Sequence, residues 1–416
     1  MTLKRAAGST GPRPAAPGAP AAGTEPRPTR VLVVDDSAVM RQFMAALVGS
    51  QPDLVATTAA DPILALAKIE RERPDVILLD LEMPRMDGLA FLRRLMRDDP
   101  IPVVVCSSHA QSGTAAAFAA LDLGALEVVA KPAFGLRAFL EESAESLLET
   151  LRGASQARLP GRRRDPATAP MTGPASGSAT GPIRPAAREP GPVRVPIAVP
   201  RSAIPIPNRP PGSPPWPRLV AIGASTGGPE ALRVLLGALP EDSPALLIVQ
   251  HMPRAFTGAF ARRLDQICAI EVAEATDGAE VLASRALIAP GDCHLVLVRE
   301  GGRLAVRLSA EPLVNHHRPS VDVLFSSVAE VAGAAAVGVL LTGMGADGAA
   351  GLLAMRQAGA RTLAQDEASS VVYGMPREAL AKGAVEEVVP IDRLAGRLLD
   401  VALDFGNRTM ARSRQI

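Results

Sequence analysis

Aromatic side chains are scarce in this sequence. Tryptophan, tyrosine and phenylalanine make up 3% of its 416 residues, so packing must lean on Ala, Val and Leu. Hydrophobic residues still reach 47%, enough for sizeable cores. Net charge is almost absent at +1, which gives no general attraction to nucleic acid or to a membrane surface. Cysteine is limited to Cys106, Cys268 and Cys293. They form no C-x-x-C pair and their number is odd, which points to a reducing, cytoplasmic setting. No apolar run is long enough to cross a bilayer, and the basic N-terminus lacks the apolar stretch of a signal peptide. What remains is a chain long enough for two or three domains, expected to be a monomer without membrane insertion.

Residues 1–29 are rich in Ala, Pro and Gly and hold too few large apolar side chains to fold, so a disordered tail is expected. A second such tract fills 151–217. From Arg152 to Pro217 it carries seventeen prolines, ten arginines and two acids, a composition that favours extended, semi-rigid chain. It reads as a solvated spacer, although its positive charge could take an acidic partner. Folded units are therefore expected at 30–150 and 218–406, with a short tail at 407–416. In the first, strands are expected at RVLVV, LVATT, DVILL, PVVVC and EVVA; in the second, at RLVAI, ALLIVQ, IEVAEA, ALIAP, AVGVLLT and RTLAQ. Amphipathic runs separate them. This predicts two doubly wound α/β units, each a parallel sheet with helices on both faces. HLVLV and RLAVRL, joined by Gly-Gly, predict an added β-hairpin in the second unit.

Open parallel sheets place their sites beyond the carboxyl ends of their strands. In the first unit those positions hold Asp35 and Asp36 after RVLVV, Asp80 after DVILL, Ser107 after PVVVC and Lys131 after EVVA. Any one of these acids reads most simply as a cap or turn residue; the full set at four strand ends does not. Three carboxylates at one edge repel one another unless a cation sits among them, and oxygen ligands suit Mg²⁺. A nearby lysine and hydroxyl would receive phosphoryl oxygens, and a central Asp80 can form an acyl phosphate. With this DD…D…S…KP pattern, residues 30–150 resemble a response-regulator receiver domain, which is flavodoxin-like. The resemblance implies that Asp80 accepts phosphate from a histidine kinase of the CheA type. It also implies that Asp35 and Asp36 help to hold Mg²⁺, and that Ser107 and Lys131 sense the phosphoryl group. One departure is Val128, where such domains often carry an aromatic residue.

The second unit opens with IGASTGGPE, in which Ser225 fits the pattern G-x-S-x-G between a strand and a helix. A nucleophile elbow and an anion-cradling turn both need these glycines. A nucleophilic serine also needs a base, and the base needs an orienting group. His251 directly follows the strand ALLIVQ, and Asp347 lies just past AVGVLLT, so all three leave strands at what should be one edge. The chain order Ser, His, Asp differs from that of ordinary α/β-hydrolases. Backbone N–H groups at Thr226 and in Gly343-Met344-Gly345 are candidates for an oxyanion hole. A competing reading is that GMGADG, Gly343 to Gly348, with Asp366 beyond the next strand, binds a dinucleotide. That leaves Ser225 and His251 without a role. A third reading is a non-catalytic module that only changes partners on phosphorylation. His294 beside Cys293 reads as structural, His316, His317 and Arg318 as a polar loop, and Ser320 as the cap of the helix PSVDVLFSSV.

Together GASTGGP, QHMP, PGDCHL, RPSVDVLF, LTGMGADGAAG and AQDEASSVVYGMP resemble the catalytic domain of the chemotaxis protein-glutamate methylesterase family, CheB, across nearly all of 218–406. The resemblance implies Ser225 as nucleophile, His251 as base, Asp347 as its orienter, and the Thr226 and Met344 backbone at the oxyanion. It implies demethylation and deamidation of methyl-accepting chemotaxis receptors, with no cofactor at the esterase site. It further implies that the receiver blocks this site until phosphorylated. The spacer is unusually long and proline-rich; a long tether lowers effective concentration but permits docking.

Overall fold

The computed structural model describes residues 27–83, 87–107, 111–131, 144–159 and 219–413. The tail expected before residue 27, the spacer from 160 onward and the last three residues lie outside the described residues. The first unit is a sheet of β1 (Thr29–Val34), β2 (Leu54–Ala59), β3 (Val76–Asp80), β4 (Val103–Ser107) and β5 (Glu127–Ala130) in the order β2-β1-β3-β4-β5. Every pairing is parallel. Strands β3 and β4 are apolar and buried along their length, as a sheet covered on both faces requires. The chain reverses between β1 and β3, which opens a crevice at their carboxyl ends.

The described helices of this unit are α1 (Ala38–Gly49), α2 (Pro62–Arg71), α3 (Gly88–Asp98), α4 (Gln111–Asp122) and α5 (Ala144–Ser155). Ser37, Asp61 and Asp87 cap the first three through side-chain oxygens that accept from backbone N–H groups in the first turn. The last helix of the first unit runs five residues past the expected boundary at residue 150. Helix α5 continues into the tract read as spacer because Leu147, Leu148, Leu151 and Ala154 keep helical spacing and bury in the core. Arg152 Nε, in its last turn, donates to Asp53 Oδ2 at 2.8 Å.

The second unit holds β6 (Leu219–Ala224), β7 (Leu246–Gln250), β8 (Glu271–Glu274), β9 (Arg285–Ile288), β12 (Ala336–Leu340), β13 (Arg361–Gln365) and β14 (Glu387–Val389). They form a seven-stranded parallel sheet in the order β14-β13-β12-β6-β7-β9-β8. The short edge strand β14 was absent from the sequence expectation. The expected hairpin is present as β10 (His294–Glu300) and β11 (Arg303–Ser309), turning at Gly301 and Gly302 with φ of 54° and 85°. Helices α6 (Gly228–Gly237), α7 (Arg254–Asp265), α8 (Val321–Val331), α9 (Ala349–Gln357), α10 (Met375–Ala381) and α11 (Ile391–Ser413) complete the unit, the last running past the expected end at 406. The sheet starts at its centre with β6, builds outward through β7, and then reverses to β12, so its switch point lies between β6 and β12.

The two units pack against each other. Phe118 of α4 stacks on Phe260 of α7, with centroids 6.3 Å apart, inside one continuous apolar cluster. Arg263 pairs with Asp122 at the rim. Just beyond α5, the Arg158 N–H donates to Val371 O at 3.1 Å. The joint therefore has an apolar centre and a charged edge, the usual build of a docking surface.

Candidate active site

At the receiver edge the predicted residues meet. Lys131 Nζ lies 2.6 Å from Asp80 Oδ2 and 3.5 Å from Asp35 Oδ2. Asp35, Asp36 and Asp80 each offer an oxygen within 4.8 Å of the others. Burial pushes the Asp35 carboxyl up; the nearby Lys131 pulls it down, while Asp80 and Asp36 push it further up. Convergent, mutually repelling oxygens are the donor set a hard divalent cation fits. Ser107 is buried at the end of β4 beside them. Val128 packs in the apolar core.

At the switch point of the second sheet, Ser225 follows β6 and its N–H donates to Thr342 O at 3.0 Å. His251 follows β7, and its N–H donates to Ala224 O at 3.1 Å. These bonds bring the serine and the imidazole to adjacent strand ends, and both are buried. Gln250 Nε2 donates to Ser225 O at 3.1 Å and to His251 O at 3.0 Å, tying the two ends together. A Cβ added at Gly343 would lie 2.8 Å from Ser225 Cβ, so only glycine lets the neighbouring loop approach the serine.

The third group is in place. His251 Nε2–H donates to Asp347 Oδ2 at 2.9 Å. A carboxylate only accepts, so this bond sets the tautomer and leaves Nδ1 with its lone pair. Nδ1 is buried and has no partner among the described residues. It is the atom free to take a proton. Asp347 accepts four further bonds, from Asn315 Nδ2, Ser320 Oγ, Val321 N and Asp322 N. Burial alone would raise its pKa, but His251 and these donors outweigh it and hold the carboxyl well below the usual range. A ligand atom of His317 also lies within 4.8 Å of His251 and Asp347. A metal there would have to displace those bonds, so the cluster fits a proton relay better than a cation.

The structure also corrects one expectation and adds to another. Ser320 occupies the cap position of α8 but makes no side-chain cap bond; Asp347 caps the helix through Val321 N and Asp322 N, and Ser320 Oγ donates to Asp347 instead. His317, read as part of a polar loop, lies with its ring over His251, centroids 3.7 Å apart. Two polar residues behind the site also escaped the sequence reading. Thr342 Oγ1 donates to Thr226 O at 2.9 Å, and Gln365 Oε1 accepts from Thr342 N at 2.8 Å. Their only sequence signal was a polar residue at the end of an apolar strand. The competing dinucleotide reading loses its acid, since Asp366 Oδ1 accepts from Ser369 N at 3.1 Å within its own turn. His294 is structural as expected, bonded to Pro312 O and Ser320 N.

The receiver covers this edge. Glu127 Oε2, on β5, accepts from Thr226 Oγ1 at 2.8 Å. On α5, a Cβ at Gly153 would lie 2.9 Å from Met344 Cβ. Glu149 Oε2, one turn earlier, is 3.8 Å from His317 Nε2. Thr226 and Met344, the two expected oxyanion donors, thus both sit under the first unit.

Fold and site together define a two-unit signalling protein in which a receiver-type sheet lies over a parallel α/β sheet built for hydrolysis. Residues 31–141 match the response regulator receiver domain, and residues 220–398 match CheB methylesterase. The chain is 51% identical over 370 residues to a protein-glutamate methylesterase/protein-glutamine glutaminase of Anaeromyxobacter dehalogenans, covering 89% of this chain and 98% of that one. It is 49% identical over 381 residues to one from Bordetella bronchiseptica, covering 91% and 99%. The solved catalytic domain of Thermotoga maritima CheB is 36% identical, covers 44% of this chain and 98% of its own, and gives a TM-score of 0.44. The chain belongs to the CheB methylesterase family.

Proposed function

We propose that this protein is a phosphorylation-activated protein-glutamate methylesterase and protein-glutamine deamidase acting on chemotaxis receptors. The observation that carries the reading is the His251–Asp347 hydrogen bond beside Ser225 at the switch point. Ser225 Oγ attacks the ester carbonyl carbon of a methylated glutamate while His251 Nδ1 takes its proton. The oxyanion that forms accepts from the Thr226 and Met344 backbone N–H groups; one such donor is worth about 3 kcal/mol of barrier. His251 then gives the proton to the departing methoxide, releasing methanol and leaving the receptor glutamyl ester of Ser225. Water attacks next, its proton goes to His251, and collapse returns that proton to Ser225 with release of the glutamate. With glutamine the leaving group is ammonia. No step calls for a cofactor at this site.

Control resides in the first unit. Asp80 accepts the phosphoryl group from a histidine kinase of the CheA type. Asp35, Asp36 and Asp80 would hold Mg²⁺, which would neutralise charge on the phosphoryl oxygens, and Ser107 and Lys131 would contact the phosphoryl group. The working units are residues 30–155 and 218–413, joined by the tether. Among the described residues no helix is long and apolar enough to cross a membrane. A cytoplasmic monomer acting on the exposed parts of receptors fits that, with no role for nucleic acid.

The test is methanol release from methylated receptor. Ser225→Ala is expected to abolish it, and Asp80→Ala, or chelation of Mg²⁺, to leave a basal rate that phosphodonor no longer raises. Undiminished release by Ser225→Ala would reject the mechanism.

A further inference from the structure

We propose that His317 is a positioning residue for this hydrolysis, holding the plane of the His251 imidazole so that Nδ1 is kept free to serve Ser225 while Nε2–H stays on Asp347. The inference rests on the Ser225, His251 and Asp347 reading above. One hydrogen bond fixes one nitrogen of an imidazole; the ring still turns about its Cβ–Cγ bond, a torsion that is broad by nature. A second constraint must come from the faces. His317 supplies one: its ring is nearly parallel to that of His251, at 21°, with centroids 3.7 Å apart.

His317 is itself fixed. Its Nδ1–H donates to Asn315 O at 2.5 Å, which sets its tautomer and orientation. Asn315 in turn donates through Nδ2 to Asp347 Oδ1 and to Asp322 Oδ2, each at 2.8 Å. One loop therefore places both the carboxylate below His251 and the ring across its face. That loop bends through left-handed backbone at Asn315 and His316, with φ of 52° and 64°, a conformation unfavourable for residues with a Cβ. His251 must become an imidazolium in each half-reaction, and a second positive ring 3.7 Å away would oppose it. Burial, helped by the nearby His251, pushes the His317 pKa down to about 3, so the ring offered is neutral. Its side chain is 13% exposed. A neutral aromatic face tolerates, and modestly favours, a cation against it.

The test uses the full-length protein treated with a small phosphodonor, with His317→Phe, His317→Leu and Ser225→Ala. Methanol release gives kcat and KM. Phenylmethylsulfonyl fluoride, a small serine-directed reagent, reports how reactive Ser225 is without the receptor. The downfield proton of the His251–Asp347 bond, seen by NMR, reports the orientation of the imidazole. His317→Leu keeps an apolar filler but loses the flat face. It is expected to lower kcat by about 10- to 100-fold with KM changed by less than about threefold, as a misplacement of roughly 1 Å would. Labelling should slow in parallel and the downfield signal should broaden or vanish. His317→Phe restores the face and should recover to within about fivefold, with the signal retained. Full activity in His317→Leu, or a His317→Phe protein that keeps the signal yet is as slow as His317→Leu, would overturn the proposal. Ser225→Ala separates the two layers. If it is inactive while His317→Leu is normal, only the role of His317 falls; if it is active, the mechanism itself falls.

Discussion

Two sheet edges in this molecule carry the same raw material and use it differently. At each, aspartates stand at the carboxyl ends of parallel strands beside a cationic or ionisable partner. At the receiver edge Asp35, Asp36 and Asp80 crowd together, with Lys131 reaching two of them. Their mutual repulsion is the reason a divalent cation would be welcome there, and that cation together with Lys131 would then offset the negative charge of a phosphoryl group. At the hydrolase edge a single carboxylate, Asp347, accepts five hydrogen bonds, one of them from His251. It has no need of a cation. On the proposed function, a phosphoacceptor site and a proton relay differ in how many neutral donors surround the carboxylate: Asp35 accepts from Ser37 N and Asp80 from Glu82 N, whereas Asp347 accepts from four such donors besides His251.

The strongest way to break that contrast is to convert Asp347 into a group that cannot hold the correct tautomer. Asp347→Asn keeps the shape but offers an amide N–H to the imidazole, so His251 is held with the wrong nitrogen protonated. In the serine protease triad the equivalent change costs about 10⁴ in kcat. A loss of about 10³ to 10⁴ in methanol release is expected here, with no phosphodonor able to restore it. The corresponding change at the other edge, Asp80→Asn, should leave basal release intact. If Asp347→Asn retained more than about a tenth of wild-type kcat, the two edges would not differ in the way their hydrogen bonds imply.

The parts that were readable in the sequence are those fixed by strand ends. Ser225, His251 and Asp347, like Asp35, Asp80 and Lys131, each follow an apolar run by a residue or a few, and parallel topology then forces convergence. His317, Asn315 and Ser320 were not readable. They lie in a loop between the hairpin and α8, and nothing in local periodicity says which way such a loop folds over. Glu127 was hidden for a different reason: it opens strand β5, away from the strand's carboxyl end, and its partner Thr226 belongs to the other unit, 99 positions away. The end of the first unit was blurred because the proline-rich composition begins just after α5, whose last turn was averaged into the spacer.

Where the two edges face each other, Glu127 gives a sharper and smaller test. Burial pushes its pKa up to about 7, against the opposing effects of the Thr226 hydrogen bond and of His251. The carboxyl of an undocked receiver is expected nearer its ordinary value of 4.5. The docked state therefore binds the proton more tightly. Its extra stability is fully present below about 4.5 and is lost as pH rises through about 7. The effect is at most ~3 kcal/mol, or about two decades in the docking equilibrium, because part of the burial belongs to the receiver alone. The ratio of unphosphorylated to phosphorylated activity should rise from roughly pH 5 to 8. Glu127→Gln should flatten that rise and keep the unphosphorylated enzyme quieter at pH 8. A ratio that is flat in the wild type would sever Glu127 from control.

The smallest expected effect comes from Gly153→Ala. In a helix interior alanine is worth about 1 kcal/mol more than glycine, so α5 alone should gain. At this position, however, the added methyl would stand 2.9 Å from Met344 Cβ and 3.5 Å from Thr226 Oγ1. Something must shift to relieve that contact, and the expected relief is a slight separation of the two units. The receiver should become no less stable while its hold on the hydrolase edge weakens. Basal methanol release should rise a few-fold, on the order of the ~1 kcal/mol a mild overpacking costs, and the phosphorylated rate, in which the proposed function has the contact broken, should stay where it was. If both rates fell together, Gly153 would be supporting the active loop rather than covering it.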